Sequence, residues 1–371
     1  MKKYCTEIIL AIILLALSLI SIFVGVIDID IKDLLTNDNN ALMIFVVSRL
    51  PRLLAIICTG MGMSVAGLIM QQLCMNKFVS PTTGATISSA QLGILLALLF
   101  IPNSTLWQRA GFAFVTAILG TWVFVWFIQK VQYKDVVMVV FVLGSGSILF
   151  TNDNLSFLVD LVLMGIIATV VYSWLFKMTR HNVLYVLLVG TVLTSFFSSI
   201  QSTLTRVMDP NEYDTLLTSL VASFSNINSE IIIFSVIILA LIGVIFRKEL
   251  ALLDVITLGK EQAINLGVDY DRCIRRLLLA VTLCIAVATA MVGPISFLGL
   301  IIANISRQLL KTYRHTQLIA GAALMGVIAL IGGQFIVERV FVYSIPISVF
   351  ITVAGGIYFL YLILKGSRHN S

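Results

Sequence analysis

The sequence predicts an all-α, polytopic integral membrane bundle, and three observations carry that reading. Only 11% of the residues are charged and 59% are hydrophobic, where soluble domains carry about 25% charged residues. The apolar residues gather into runs near the roughly 20 that a helix needs to cross a bilayer core. The basic residues between those runs alternate in abundance along the chain. Such a chain cannot hide its apolar surface in a globule; it uses the bilayer as solvent, where helices satisfy their own backbone groups.

About twelve spans are expected, at 8–27, 47–72, 84–101, 109–129, 136–150, 155–176, 183–205, 230–246, 274–292, 295–310, 316–336 and 346–364. The first run follows Met1-Lys2-Lys3 as a signal peptide would. It lacks a small-residue cleavage site and many spans follow it, so it reads as a retained span. With the N terminus in the cytoplasm, 18 of the 24 Lys and Arg fall inside, while Lys32, Arg49, Arg52, Arg109, Arg206 and Arg339 fall outside. That asymmetry obeys the positive-inside rule and places both termini in the cytoplasm. Outside loops are acidic instead, with Asp28, Asp30, Asp33 and Asp38 in the first and Asp209, Glu212 and Asp214 after span seven. The chain divides into 1–135 (spans one to four), 136–246 (middle spans), 247–276 (a cytoplasmic charged segment) and 277–371 (C-terminal spans).

Several function classes are disfavoured. The net charge of +6 is accounted for by the inside loops and does not suggest nucleic acid. Almost no charge lies at mid-membrane depth, since Asp160 and Glu338 sit near outer span ends, and a proton-coupled carrier would need a buried relay. Gly259-Lys260 is followed by Glu261 and no phosphate loop precedes it, so no nucleotide site or enzymatic motif is expected. The five cysteines show neither metal-ligand nor disulfide spacing and read as small buried hydrophobes. His181, His315 and His369 flank basic inside segments and read as solvated loop residues. No metal or cofactor is expected. The glycines at 60, 62, 67, 321, 326, 332, 333, 355 and 356, with Ser64, read as close helix packing.

The charged segment 247–276 is the longest in the chain. Its centre, 257–266, reads as a short amphipathic helix, with Leu258, Ala263, Ile264 and Leu266 among Lys260, Glu261, Gln262 and Asn265. Gly267 stops it. Two readings stand: a docking surface for a cytoplasmic partner, or a solvated loop. Arg49, Arg52 and Arg339 likewise fit either steering of an acidic partner or snorkelling at span ends.

Five stretches, in order and across nearly the whole chain, bear on those alternatives. They are Ser48-Arg49-Leu50-Pro51-Arg52 leading to Gln71-Gln72; Asn76-Lys77-Phe78-Val79-Ser80-Pro81; Leu258-Gly259 with Leu266-Gly267-Val268; Gly293-Pro294-Ile295-Ser296-Phe297-Leu298-Gly299-Leu300; and Ile336-Val337-Glu338-Arg339 before Ser344-Ile345-Pro346-Ile347-Ser348. Together they resemble the FecCD-type permeases, the membrane subunits of ABC importers for iron–siderophore chelates, haem and vitamin B12. The resemblance implies that Arg49, Arg52 and Arg339 face an extracytoplasmic substrate-binding protein. It implies that Leu258, Gly259, Ala263, Leu266 and Gly267 contact a cytoplasmic ABC ATPase dimer. It implies further that Gly293, Pro294, Arg180 and Leu184 belong to the pathway and its gate. A second permease subunit and a ferric siderophore complete the implied partners. A secondary carrier working alone, or a non-transporting hybrid, is the alternative.

The family has ten spans where twelve are expected here. Residues up to about Asp135 resemble one member of the paired permeases of petrobactin- or catecholate-type systems, and those from about Val136 resemble the other. A hybrid of two neighbouring genes would repeat spans three and four; a natural insertion, or a re-entrant segment counted as spans, is the other reading.

Overall fold

The computed structural model describes residues 5–23, 43–101, 103–130, 182–224, 227, 229–341 and 346–367. Every regular element among them is a helix. In order they are α1 (Cys5–Phe23), α2 (Leu50–Leu73, entered through a π-helical turn at Phe45–Arg49), α3 (Thr86–Phe100), α4 (Leu106–Lys130), α5 (Asn182–Thr205), α6 (Pro210–Ser219) and α7 (Ser229–Ile245). Three short helices follow, α8 (Arg247–Ala251), α9 (Leu253–Ile256) and α10 (Lys260–Asn265). The chain continues as α11 (Tyr270–Val292), α12 (Leu298–Leu310), α13 (His315–Arg339) and α14 (Ile347–Ser367).

Ten of the expected spans fall on these helices; those at 136–150 and 155–176 lie outside the described residues. Among the described residues four helices are long and apolar enough to cross a membrane: Phe45–Leu73, Leu106–Trp126, Tyr270–Val292 and His315–Arg339. The chain is thus a multi-pass helical membrane protein. Helix boundaries follow local chemistry. Pro51 follows directly on the π-helical turn, where its missing N–H interrupts the regular hydrogen-bond ladder at the start of α2. Pro210 sits in the first turn of α6, where its missing N–H costs nothing, in a helix where the sequence suggested only an acidic loop. The expected span at 295–310 begins only at Leu298. Gly293 leaves α11 at φ +102°, Pro294 lacks a donor, and Phe297 holds the left-handed region at φ +64°. The 13 residues of α12 reach about 20 Å at 1.5 Å each, well short of a bilayer core of about 30 Å.

α2 is the centre of the bundle. Of its apolar window 78% is buried, against 33% for α4, so α2 is enclosed by protein while α4 lies at the rim. It packs on α11, α12 and α13. The approach is closest where glycines meet: a Cβ on Gly67 would lie 2.3 Å from the Gly299 carbonyl oxygen of α12, and one on Gly60 would lie 2.8 Å from Val327 Cα of α13. Neither contact can accept a methyl without moving backbone. Gly332 and Gly356, by contrast, have no neighbour within reach of a Cβ among the described residues. Cys58, Cys74, Cys273 and Cys284 are buried free thiols, as expected.

Candidate functional sites at the elbow and the outer helix ends

The segment between α7 and α11 is a compact elbow built from three short helices rather than the one expected at 257–266. Gly259 takes φ +96° and Gly267 φ +82°, a region that side chains with a Cβ rarely adopt. The helix can therefore run only between them, as α10. Leu253 and Ile256 are 0% and 2% exposed and anchor α9 in the main core. On and beside α10 the expected apolar set divides. Ala263 is fully buried, whereas Leu258, Ile264 and Leu266 are 54%, 50% and 63% exposed. Three large apolar side chains on a polar elbow are the sort of surface that a partner covers.

Charges fasten this elbow to the bundle. The Arg276 guanidinium of α11 holds the buried Glu249 of α8, with Nη1 2.5 Å from Oε1. Lys260 Nζ lies 3.1 Å from Asp271 Oδ1 and stands over the Tyr270 ring. The Asp269 carboxylate accepts from the Arg272 N–H and caps α11.

A node that the sequence reading missed lies beneath the elbow. His315, read as a loop residue, is 6% exposed. Its backbone N–H donates to Asp254 Oδ1 at 2.9 Å, its Nδ1 lies 2.5 Å from the same oxygen, and its Nε2 lies 2.8 Å from Gln72 Oε1. Burial pushes the Asp254 carboxyl up. The two hydrogen bonds from His315, with the His315 and Arg314 charges, outweigh that and hold it below the usual carboxylate range. His315 is buried because it opens α13 directly under α9, with partners 61 and 243 positions away. No local pattern signals that. His181 and His369 lie outside the described residues. Beside this node Arg307 Nη1 donates to Gln71 Oε1 at 2.6 Å, and Asn304 Nδ2 donates to the Lys77 carbonyl at 2.8 Å, which joins α12 to the end of α2.

At the opposite end of α2, the three expected arginines part company. Arg339 is exposed. Arg49 and Arg52 are buried, at 5% and 9% exposure. Arg52 is drawn inward by Glu338 of α13, with Nη1 2.5 Å from Oε1, and Gln334 Nε2 donates to the same carboxylate at 2.8 Å. Arg52 is thus already paired with an acidic residue of the neighbouring helix.

Of the residues expected at the pathway, Gly293 and Pro294 are buried at the α11–α12 turn. A Cβ on Gly293 would lie 3.0 Å from Ala222 Cα, and Ser223 N–H donates to the Val292 carbonyl at 3.1 Å. Leu184 lies on the backbone of α5, and Arg180 lies outside the described residues. Among the described residues no group of His, Cys, Asp and Glu could hold a metal ion.

Comparison with known proteins gives a consistent picture. A family model described as the FecCD transport family matches residues 13–150 and again 134–365. The petrobactin import system permease protein YclO of Bacillus subtilis (strain 168) is 42% identical over 230 residues, which cover 62% of this chain and 73% of YclO. The petrobactin import system permease protein YclN of the same strain is 28% identical over 361 residues, 96% of this chain and 97% of YclN. Among solved structures, a metal-chelate type ABC transporter in an inward-facing conformation superposes with a TM-score of 0.70 at 22% identity, covering 97% of this chain and 98% of that one.

Proposed function

Because the chain belongs to the FecCD transport family, we propose that it is the membrane permease subunit of an ABC importer that carries a ferric siderophore inward. The observation that carries this reading is the pair of family matches running from residue 13 to 365, joined by two petrobactin import permeases among the relatives. ATP hydrolysis belongs to a separate cytoplasmic ATPase dimer. A substrate-binding protein delivers the chelate from outside, and a second permease subunit completes the pathway. The elbow is the ATPase contact, through Leu258, Gly259, Leu266 and Gly267, with buried Ala263 fixing α10 beneath them. Arg339, and Arg49 and Arg52 behind it, form the binding-protein end. Gly293 and Pro294 break the pathway helix, with Arg180 and Leu184 at the gate. Both termini lie in the cytoplasm of a chain with about twelve spans, in the cell membrane; the charge asymmetry supports that topology.

The test is uptake of radiolabelled iron as its petrobactin complex by iron-starved cells that carry the chain with an ATPase and a binding protein. Uptake should disappear when Gly259 and Gly267 are replaced by Leu while the protein still inserts. Undiminished uptake in those variants would remove the elbow from the mechanism, and ATP-independent uptake would point to a carrier acting alone.

A specific observation favours the hybrid origin. The two family matches overlap at residues 134–150, around the expected junction near Val136, and the YclO match has nearly the length of the second. Sequencing the native locus decides this: two neighbouring full-length permease genes support a fusion, and one intact gene shared by relatives rules it out.

A further inference from the structure

We propose that His315 is the joint between the elbow and a rigid lever made of α2 and α13, so that a displacement of the elbow reaches the outer ends of both helices. The proposal deepens the permease reading and rests on it for the origin of the displacement.

The lever is defined by three contacts along its length. At one end, His315 of α13 meets Gln72 of α2 through Nε2. Midway, Gly60 of α2 lies against the Gly326–Val327 backbone of α13, and the buried Ser64 lies against Gly326. At the other end, Arg52 of α2 pairs with Glu338 of α13. Two helices tied at both ends and in backbone contact between them cannot slide or splay without breaking a buried polar contact, and leaving such a group unpaired is costly. They move as one body.

The elbow reaches this body through Asp254. Asp254 lies on α9, whose neighbours Leu253 and Ile256 are buried in the core, and it precedes Gly259 by five residues. Its carboxylate takes both the backbone N–H and Nδ1 of His315. One buried imidazole therefore spans elbow and lever with both ring nitrogens engaged, and its neighbour Arg314 adds attraction to the same carboxylate. His315 touches no transported chelate in this scheme and is a positioning residue.

The experiment has two arms, both read by amide hydrogen exchange. In the first, the purified full chain is compared with H315A and D254A. H315A should speed exchange by about tenfold, as expected for one lost hydrogen bond, in residues 253–257 and 68–74 together. D254A should loosen 253–257 and the His315 amide, which loses its acceptor, and leave 68–74 unchanged. Unchanged exchange at 68–74 in H315A, or faster exchange spread evenly over all helices, overturns the joint. In the second arm the chain is reconstituted in nanodiscs with the ATPase that co-purifies with it. Addition of MgATP should alter exchange at residues 48–54 in the native complex and leave it unaltered in H315A, whereas a full nucleotide response in H315A overturns the proposal. A native complex with no nucleotide response, alongside a positive first arm, leaves the joint standing and overturns the permease reading instead.

Discussion

The carboxyl of Asp254 makes one contribution to stability depend on pH. Its partners hold it below the usual carboxylate range, so acid must fall further to protonate it in the folded chain than in the unfolded one. Its stabilising contribution is complete above the ordinary carboxylate pKa of about 4 and disappears as pH falls through the lower folded value. The difference in melting temperature between the native chain and D254N is accordingly expected to be constant near pH 5 and to close below about pH 4. A difference that closes well above pH 5 would contradict this. Arg52 offers a harsher case. Removing one partner of a buried pair strands the other charge and costs about 3–5 kcal/mol, whereas replacing both with apolar residues of similar volume is often neutral. R52A should therefore lower the melting temperature clearly, and R52M combined with E338M should recover most of the loss. The basic motif around Arg52 could be read from the sequence because its neighbours are adjacent. Its pairing with Glu338 could not, because that partner lies 286 residues away. His315 was invisible for the same reason: a histidine among basic residues looks solvated until the element above it is known.

At the scale of elements, hydrophobic runs revealed nearly every long helix, because burial in lipid or protein demands the same apolar composition. Their ends were less legible. Gly293, Pro294 and Phe297 shorten α12 through backbone conformation that hydropathy does not record. The elbow was legible as a charged interruption, but its division into three helices depends on the positive φ of Gly259 and on the burial of Leu253 and Ile256. Two predictions belong here. Gly67→Ala forces a methyl against the α12 backbone and should destabilise the chain by about 1–3 kcal/mol, measurable as a lower thermal midpoint in detergent. Replacing the exposed Leu258, Ile264 and Leu266 with Ser should change stability by no more than about 0.5 kcal/mol per site and yet abolish co-purification of the ATPase. Retained ATPase would show that these side chains face lipid or solvent only.

The whole molecule invites a test of its sidedness. Val207, beyond α5, is 76% exposed, and Leu258, in the elbow, is 54% exposed. With Cys5 replaced by Ser, the remaining native cysteines at 58, 74, 273 and 284 are buried, so they should give little background with a membrane-impermeant thiol reagent. Cysteine at 207 is expected to label from outside intact cells, and cysteine at 258 only in inverted vesicles. Labelling of both from one side would overturn the topology drawn from the charge asymmetry. The family was readable across the chain because its motifs sit at turns and helix ends spaced along its whole length.

The meeting of Gly67 with Gly299 has a consequence for inheritance. A side chain on Gly67 would strike the Gly299 backbone, and one on Gly299 would strike the Met63 carbonyl and the Pro81 ring, so backbone blocks both positions and no neighbouring side chain can shrink to make room. Gly67 lies before Val136, where the proposed junction falls, and Gly299 lies well after it. In a chain joined from two ancestors, the interface between them closes only if both lineages had kept this same point of bare backbone. Under the proposed fusion, the two parent subunits kept a common mould at their centre.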